Sequence, residues 1–230
     1  MPKISKYIVF VSCFFVLASI TLKVQAAEIL KDTIKTEKKW FNEIRAEVDL
    51  SSFVKSAVSK DTYTFEGALQ ANILEKFFPV VEFGFAGADR NINNVAGFKT
   101  EGFFGRAGLD FKAIGVNPEE SSAAHIVLVG ARLGMSPFTY DISNVEITDD
   151  YWNQTQTIDY LNNKTSALWF EIVGSIRVEI LKNVFMGWSV RMKGQFSETQ
   201  QGQVSPWYIP GYGINKGSRW DFCYSIGYSF

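Results

Sequence analysis

The last twelve residues alternate without a break. From Trp220 to Phe230 every even position is aromatic or Ile, and every odd position is charged, small or Cys. Strict period-two alternation of this length specifies an extended strand with one greasy and one polar face. Seven earlier segments carry the same period. They are Asn42–Leu50, Thr62–Ile73, Phe77–Gly87, Lys99–Lys112, Ala123–Met135, Thr165–Ile180 and Val184–Phe196. No helical periodicity of useful length competes with them, and no internal repeat is visible.

The connectors alternate in length. Leu74–Lys76 and Leu181–Asn183 are tight turns, with Ile114–Ser122 a longer exception on the same side. Ser51–Asp61, Ala88–Phe98, Ser136–Lys164 and Ser197–Ser218 form the other side. Short turns on one edge and long loops on the other are the layout of an outer-membrane barrel. An even strand count brings both chain ends to the short-turn, periplasmic edge. The expected fold is therefore all-β: an eight-stranded antiparallel up-and-down transmembrane β-barrel over residues 42–230.

The N-terminus reads as an export signal. Lys3 and Lys6 precede an almost unbroken apolar run from Tyr7 to Ile20, and Val24-Gln25-Ala26 offers small-residue spacing for cleavage. About 14 apolar residues fall short of the roughly 20 that a spanning helix needs. Residues 1–26 are thus expected to be a cleaved signal peptide, and 27–41 a polar periplasmic leader. Cleavage removes Cys13 and leaves Cys223 alone, which excludes an intramolecular disulfide and a Cys-based zinc site. A net charge of −1 with no block of like charge gives no reason to expect a nucleic-acid partner.

Alternation alone does not say which face is inside, because a soluble barrel or sandwich shows the same pattern with greasy residues inward. The charges decide. Six of the seven arginines (Arg45, Arg106, Arg132, Arg177, Arg191 and Arg219) lie on the polar faces of strands, joined by only one clear lysine of sixteen, Lys193. A solvated face favours Lys, whereas the planar guanidinium fork suits enclosed carboxylate pairs. Glu43, Glu47, Asp49, Glu66, Glu82, Asp110, Glu171, Glu179 and Asp221 share that face. Small residues lie between them, as the filled interior of a narrow barrel requires. The greasy face, with Trp188, Trp220 and Phe222, is then expected to meet outer-membrane lipid, which demands a closed sheet. Phe104, Ile126 and Leu128 fall on the polar face, and a bulge or register change is expected there.

Several stretches resemble a family of uncharacterised Bacteroidota proteins, a domain of unknown function predicted to be an outer-membrane barrel. They run from Val48-Asp49-Leu50 to the C-terminus. The more specific ones are Phe185-Met186-Gly187-Trp188-Ser189-Val190-Arg191 and Tyr208-Ile209-Pro210-Gly211-Tyr212-Gly213. The resemblance implies a fold and supplies no activity. In outer-membrane barrels generally, a terminal aromatic such as Phe230 is the assembly signal read by the barrel-assembly machinery.

No catalytic set, cofactor or metal site is expected. Barrel enzymes such as lipid A deacylases use a His with a Ser and an acid; here the single His125 is followed two residues on by Val127, which reads as an interfacial or capping histidine. One His and one Cys supply too few ligands for a metal. The aromatic loop around Trp207, Tyr208 and Tyr212, with Trp152 in the longest loop, could bind sugar or peptide, but a rigid loop folded over the barrel mouth is the simpler reading. The leading expectation is a non-enzymatic barrel with a structural or surface-interaction role. A narrow pore for small solutes and a secreted lipocalin-like binder of apolar ligands are the alternatives.

Overall fold

Each alternating segment becomes a strand that pairs with antiparallel neighbours on both sides, and the ladder returns on itself. The computed structural model describes residues 40–59, 61–92, 96–115, 125–149, 154–199 and 205–230. The elements are β1 (Phe41–Asp49), α1 (Leu50–Val58), β2 (Thr62–Ile73), β3 (Phe77–Ile92), β4 (Ala96–Gly115) and β5 (His125–Asp149), followed by β6 (Gln154–Leu181), β7 (Val184–Thr199), β8 (Tyr208–Ile209), β9 (Gly213–Ile214) and β10 (Arg219–Ser229). The barrel order is β1-β10-β7-β6-β5-β4-β3-β2, all antiparallel, and β8 pairs only with β9. Closure is made between β1 and β10, from Arg45 opposite Ser229 to Asp49 opposite Ser225. The expected signal peptide, the leader up to Lys39, Trp152, and residues 116–122 of the connector Ile114–Ser122 lie outside the described residues, while Phe41, expected in the leader, opens β1.

The apolar face points outward. Phe103, Phe222 and Leu133 are 71%, 68% and 65% exposed, while the alternate positions Arg106, Glu82 and Glu171 are buried. This is the reverse of a lipocalin-like arrangement. The exposed apolar residues form a belt running, for example, from Phe77 to Phe85 on β3 and from Leu168 to Ile180 on β6. The two ranges span nine and thirteen residues, enough for a tilted strand, which needs roughly 9–11 to cross a bilayer. Aromatic pairs mark its rims: Phe85 with Phe103 and Phe170 with Phe196 on one side (4.9 and 5.0 Å between centroids), Phe77 with Phe111 (5.5 Å) on the other. Such girdles sit where amphipathic rings meet the lipid–water boundary.

Most of the expected loop 88–98 is strand, β3 running to Ile92 and β4 starting at Ala96, and two further expectations about the elements are corrected. The stretch 136–164 is not a loop: β5 and β6 stay paired from Phe138 opposite Thr165 out to Asp149 opposite Gln154. Beyond the belt the outward positions turn polar (Thr139, Asp141, Ser143), yet the alternation continues because Phe138, Tyr140 and Ile142 still face inward. Asn144 and Asn162 take positive φ at the irregularities of this hairpin. Their amides donate to Asp159 Oδ1 and Asp141 Oδ1 respectively, at 2.8 and 2.6 Å, an arrangement Asn tolerates best among side-chain-bearing residues. The second correction is α1, which occupies a segment with no expected helix. Asp49 caps it by accepting from the Ser51 amide at 2.8 Å, and the Ser59 amide donates to Lys55 O.

Of the expected irregularities, the one near Ile126 and Leu128 is present and the one at Phe104 is not. The β4–β5 register is unbroken from Gly97 to Lys112 and shifts between Lys112 and Ile114, opposite the step from Leu128 to Val127. Phe104 and Leu128 point into the lumen and are buried there. The physical reason is volume: a narrow barrel must be filled, and apolar side chains fill it where charges are absent.

Candidate functional site: a filled and capped lumen

Strand alternation delivers charged side chains from β2, β3, β4, β5, β6 and β7 to one level of the lumen. Glu82 lies at the centre. Its Oε2 accepts from Arg106 Nη1 (2.9 Å) and Arg191 Nη1 (2.6 Å), and its Oε1 lies 2.8 Å from Arg132 Nη1. Arg106 also pairs with Glu66 at 2.6 Å and Glu171 at 2.8 Å, and Arg132 reaches Asp110 at 3.1 Å. Arg106, Arg132 and Arg191 thus stand among Glu66, Glu82, Asp110 and Glu171, so the cluster is close to neutral. Neutrality and multiple hydrogen bonds are what make buried charge tolerable.

The remaining charges separate into smaller groups. Arg177 Nη2 pairs with Glu47 at 3.0 Å, and Arg45 with Glu43 at 2.7 Å; the Arg45 guanidinium also stacks 4.1 Å from the Phe185 ring centroid. Gln70, not singled out in the sequence, joins the groups by donating to Asp110 Oδ2 at 2.9 Å and accepting from Arg177. Lys193 pairs with Asp221 at 3.2 Å. Three of the sequence-selected charges stand apart. Asp49 serves α1 as its cap, Glu179 accepts from the Asn183 amide at the β6–β7 turn (3.0 Å), and the Arg219 guanidinium lies beside Gly213. A cavity of about 30 Å³ borders Glu47, Ser175, Arg177 and Cys223, a size for roughly one or two waters.

Above the charges lies an apolar layer; the aromatic loop over the mouth was expected, the strand residues it packs on were not. Ala86, Ala88, Phe98, Phe104, Phe138, Tyr140, Ile142, Ala167 and Trp169 pack with Tyr208, Ile209 and Tyr212 from the β8–β9 loop. That loop descends into the barrel mouth and plugs it. Its Gly211 carbonyl accepts from Arg106 Nη2 (2.8 Å) and Lys193 Nζ (3.0 Å), tying the plug to the charged cluster. Gly211 has φ +79°, and a Cβ there would overlap the Phe104 ring, so only glycine fits. Trp169 meets Tyr212 edge to face at 6.0 Å and donates to Glu171 at 2.7 Å. Burial pushes the Tyr208 hydroxyl above its usual pKa, keeping it neutral beside Thr64. Of the expected binding aromatics, Tyr208 and Tyr212 are buried in the plug, and Trp207 is half-buried between Phe98 and Arg90. His125 opens β5 opposite Val178. Phe230 lies on the outer face, its ring 4.9 Å from Tyr228 and its amide bonded to Ile44 O. Among the described residues no cluster of His, Cys, Asp and Glu has the arrangement of a metal site.

A closed antiparallel ladder of eight strands with an apolar exterior and a charged, plugged interior has the fold of an outer-membrane β-barrel. The chain belongs to the family described as Domain of unknown function (DUF6048), which matches residues 4–230. Among curated proteins, none matches this chain. Solved structures similar to it include Neisserial surface protein A, at 12% identity and TM-score 0.44, covering 84% of this chain and 98% of that one. The attachment invasion locus protein Ail of Yersinia pestis is similar at 9% identity and TM-score 0.39, covering 82% and 97%. The N-terminal barrel domain of Pseudomonas aeruginosa OprF is similar at 12% identity and TM-score 0.33, covering 82% and 98%.

Proposed function

We propose that this protein is a non-enzymatic, non-conducting barrel of the outer membrane, with a structural or surface-interaction role carried by its outer loops and the β5–β6 hairpin. One observation carries the reading: an apolar belt encircles a lumen filled by the Glu82–arginine cluster and capped by the plug. Eight strands leave room only for the barrel's own side chains, and here those side chains and the plug occupy it. The interior charges then stabilise the fold and line no path. The β5–β6 hairpin supports a surface role because it continues past the belt and exposes Ile158 and Leu161. Export through residues 1–26, insertion by the barrel-assembly machinery through Phe230, and an origin in the Bacteroidota belong to the same proposal, resting on sequence features. The decisive experiment is single-channel recording of the full barrel in planar bilayers. A silent trace is expected; discrete conductance steps would favour the narrow-pore reading.

A further inference from the structure

Between β2 and β10 the barrel wall is not strand-paired along its whole height. β1 ends at Asp49, so the outer parts of its two neighbours, Thr62–Glu66 of β2 and Arg219–Tyr224 of β10, have no β1 residues between them. Open strand edges are not tolerated in lipid, because unpaired amides and carbonyls there find no water. α1 occupies this seam and replaces the missing ladder with side chains. Lys55 Nζ donates to Phe222 O at 2.9 Å and to Asp221 Oδ1 at 2.5 Å, and Ser51 Oγ reaches Phe222 O at 3.4 Å. The Phe222 amide is satisfied by Asp221 Oδ1 at 3.0 Å. On the other side the Thr64 amide donates to Ser56 Oγ at 2.8 Å.

The polar side of α1 is thereby committed to the strand edges. Its opposite side is apolar and bare: Val54 is 63% and Val58 79% exposed. Phe53 packs edge to face on Phe65, a residue of the outward belt, with ring centroids 5.3 Å apart. The helix surface is therefore continuous with the belt. We propose that α1 is a wall element immersed in the outer leaflet, and that Val54 and Val58 contact its acyl chains. This rests on the membrane reading above. A polar stretch at the same place would have satisfied an aqueous loop equally well, whereas apolar residues on the bare side and serines on the edge side are what a lipid-facing seam needs.

The test uses nitroxide spin labels on the full chain, with Cys13 and Cys223 replaced by Ser, reconstituted in phosphatidylcholine bilayers. Labels are placed singly at Val54→Cys and Val58→Cys, with Leu133→Cys as a belt reference and Glu146→Cys as a reference beyond it. Collision with oxygen relative to a water-soluble nickel chelate is expected to be several-fold higher at positions 54 and 58 than at 146, and to match 133. If 54 and 58 follow 146 while 133 reports lipid, the inference is overturned and the membrane reading stands. Water-like behaviour at 133 as well would overturn both. Spin–spin broadening at 54 or 58 that disappears on dilution with unlabelled protein would assign this face to a second copy of the chain, which also overturns it.

Discussion

Glu82 shows how much depends on one side chain. It touches Arg106, Arg132 and Arg191 from a position in β3 where a lipid-facing register would have placed an apolar residue. Removing its charge takes a shared carboxylate from three buried guanidinium groups, and breaking buried pairs in this way costs roughly 3–5 kcal/mol. Glu82→Gln is therefore expected to lower the urea midpoint of the folded barrel in detergent, with a stability loss of about that size; an unchanged midpoint would show that the cluster does not support the fold. The assignment of Glu82 and its arginine partners to one face was legible from period-two alternation alone. The separate roles of Asp49 and Glu179 were not. Each is engaged by a backbone amide that comes near only because the chain turns there, and face arithmetic carries no information about turns. Phe104 was placed on the correct face but misjudged. It is accommodated because Gly84 opposite it has no side chain to collide with, a pairing visible only across strands.

At the scale of elements, the plug, the long hairpin and α1 are what the alternating pattern left out. The hairpin had a signal in the alternation of Phe138, Tyr140 and Ile142, obscured because its outward partners become polar beyond the lipid belt. α1 had one in the Asp49 cap followed by Phe53, Val54, Ala57 and Val58 on one side. The plug's aromatic and proline content suggested a loop folded over the mouth, but not its partners, because what it packs against comes from four strands distant in sequence. Its hinge chemistry makes a clear prediction. Gly211→Ala places a Cβ against Phe104 in a left-handed backbone, a strain of about 1–3 kcal/mol. The barrel should remain folded while the segment 205–218 becomes cleavable by external protease. Continued resistance of that segment would mean the plug does not depend on the fit at Gly211.

The whole molecule combines an exterior that suits lipid with an interior that suits neither lipid nor free solvent. Within the belt the described strands pair on both sides except at the α1 seam, and the C-terminal strand completes the ring by pairing with β1 on one side and β7 on the other. Deleting Phe230 removes one outward ring and the hydrogen bond from its amide to Ile44 O, but none of the lumen charges. If the terminal residue acts as an assembly signal, the deletion is expected to reduce membrane-borne, heat-modifiable barrel in cells while refolding in detergent stays close to that of the intact chain. Equal losses in both assays would make Phe230 a stability residue instead.

Alternation along the chain, together with an arginine-rich polar face, was sufficient to determine the number of strands, their antiparallel order and which side carries charge. These are properties of single strands and their neighbours, and a period of two is written into each strand locally. What fills the lumen was decided only in three dimensions. The seating of Ile209 and Tyr212 under the rim and the bond from Arg106 to Gly211 O depend on side chains brought together by ring closure. The helix that mends the wall beside β1 does so as well. Its place exists only because two strands outrun the one between them, and no single segment records that difference.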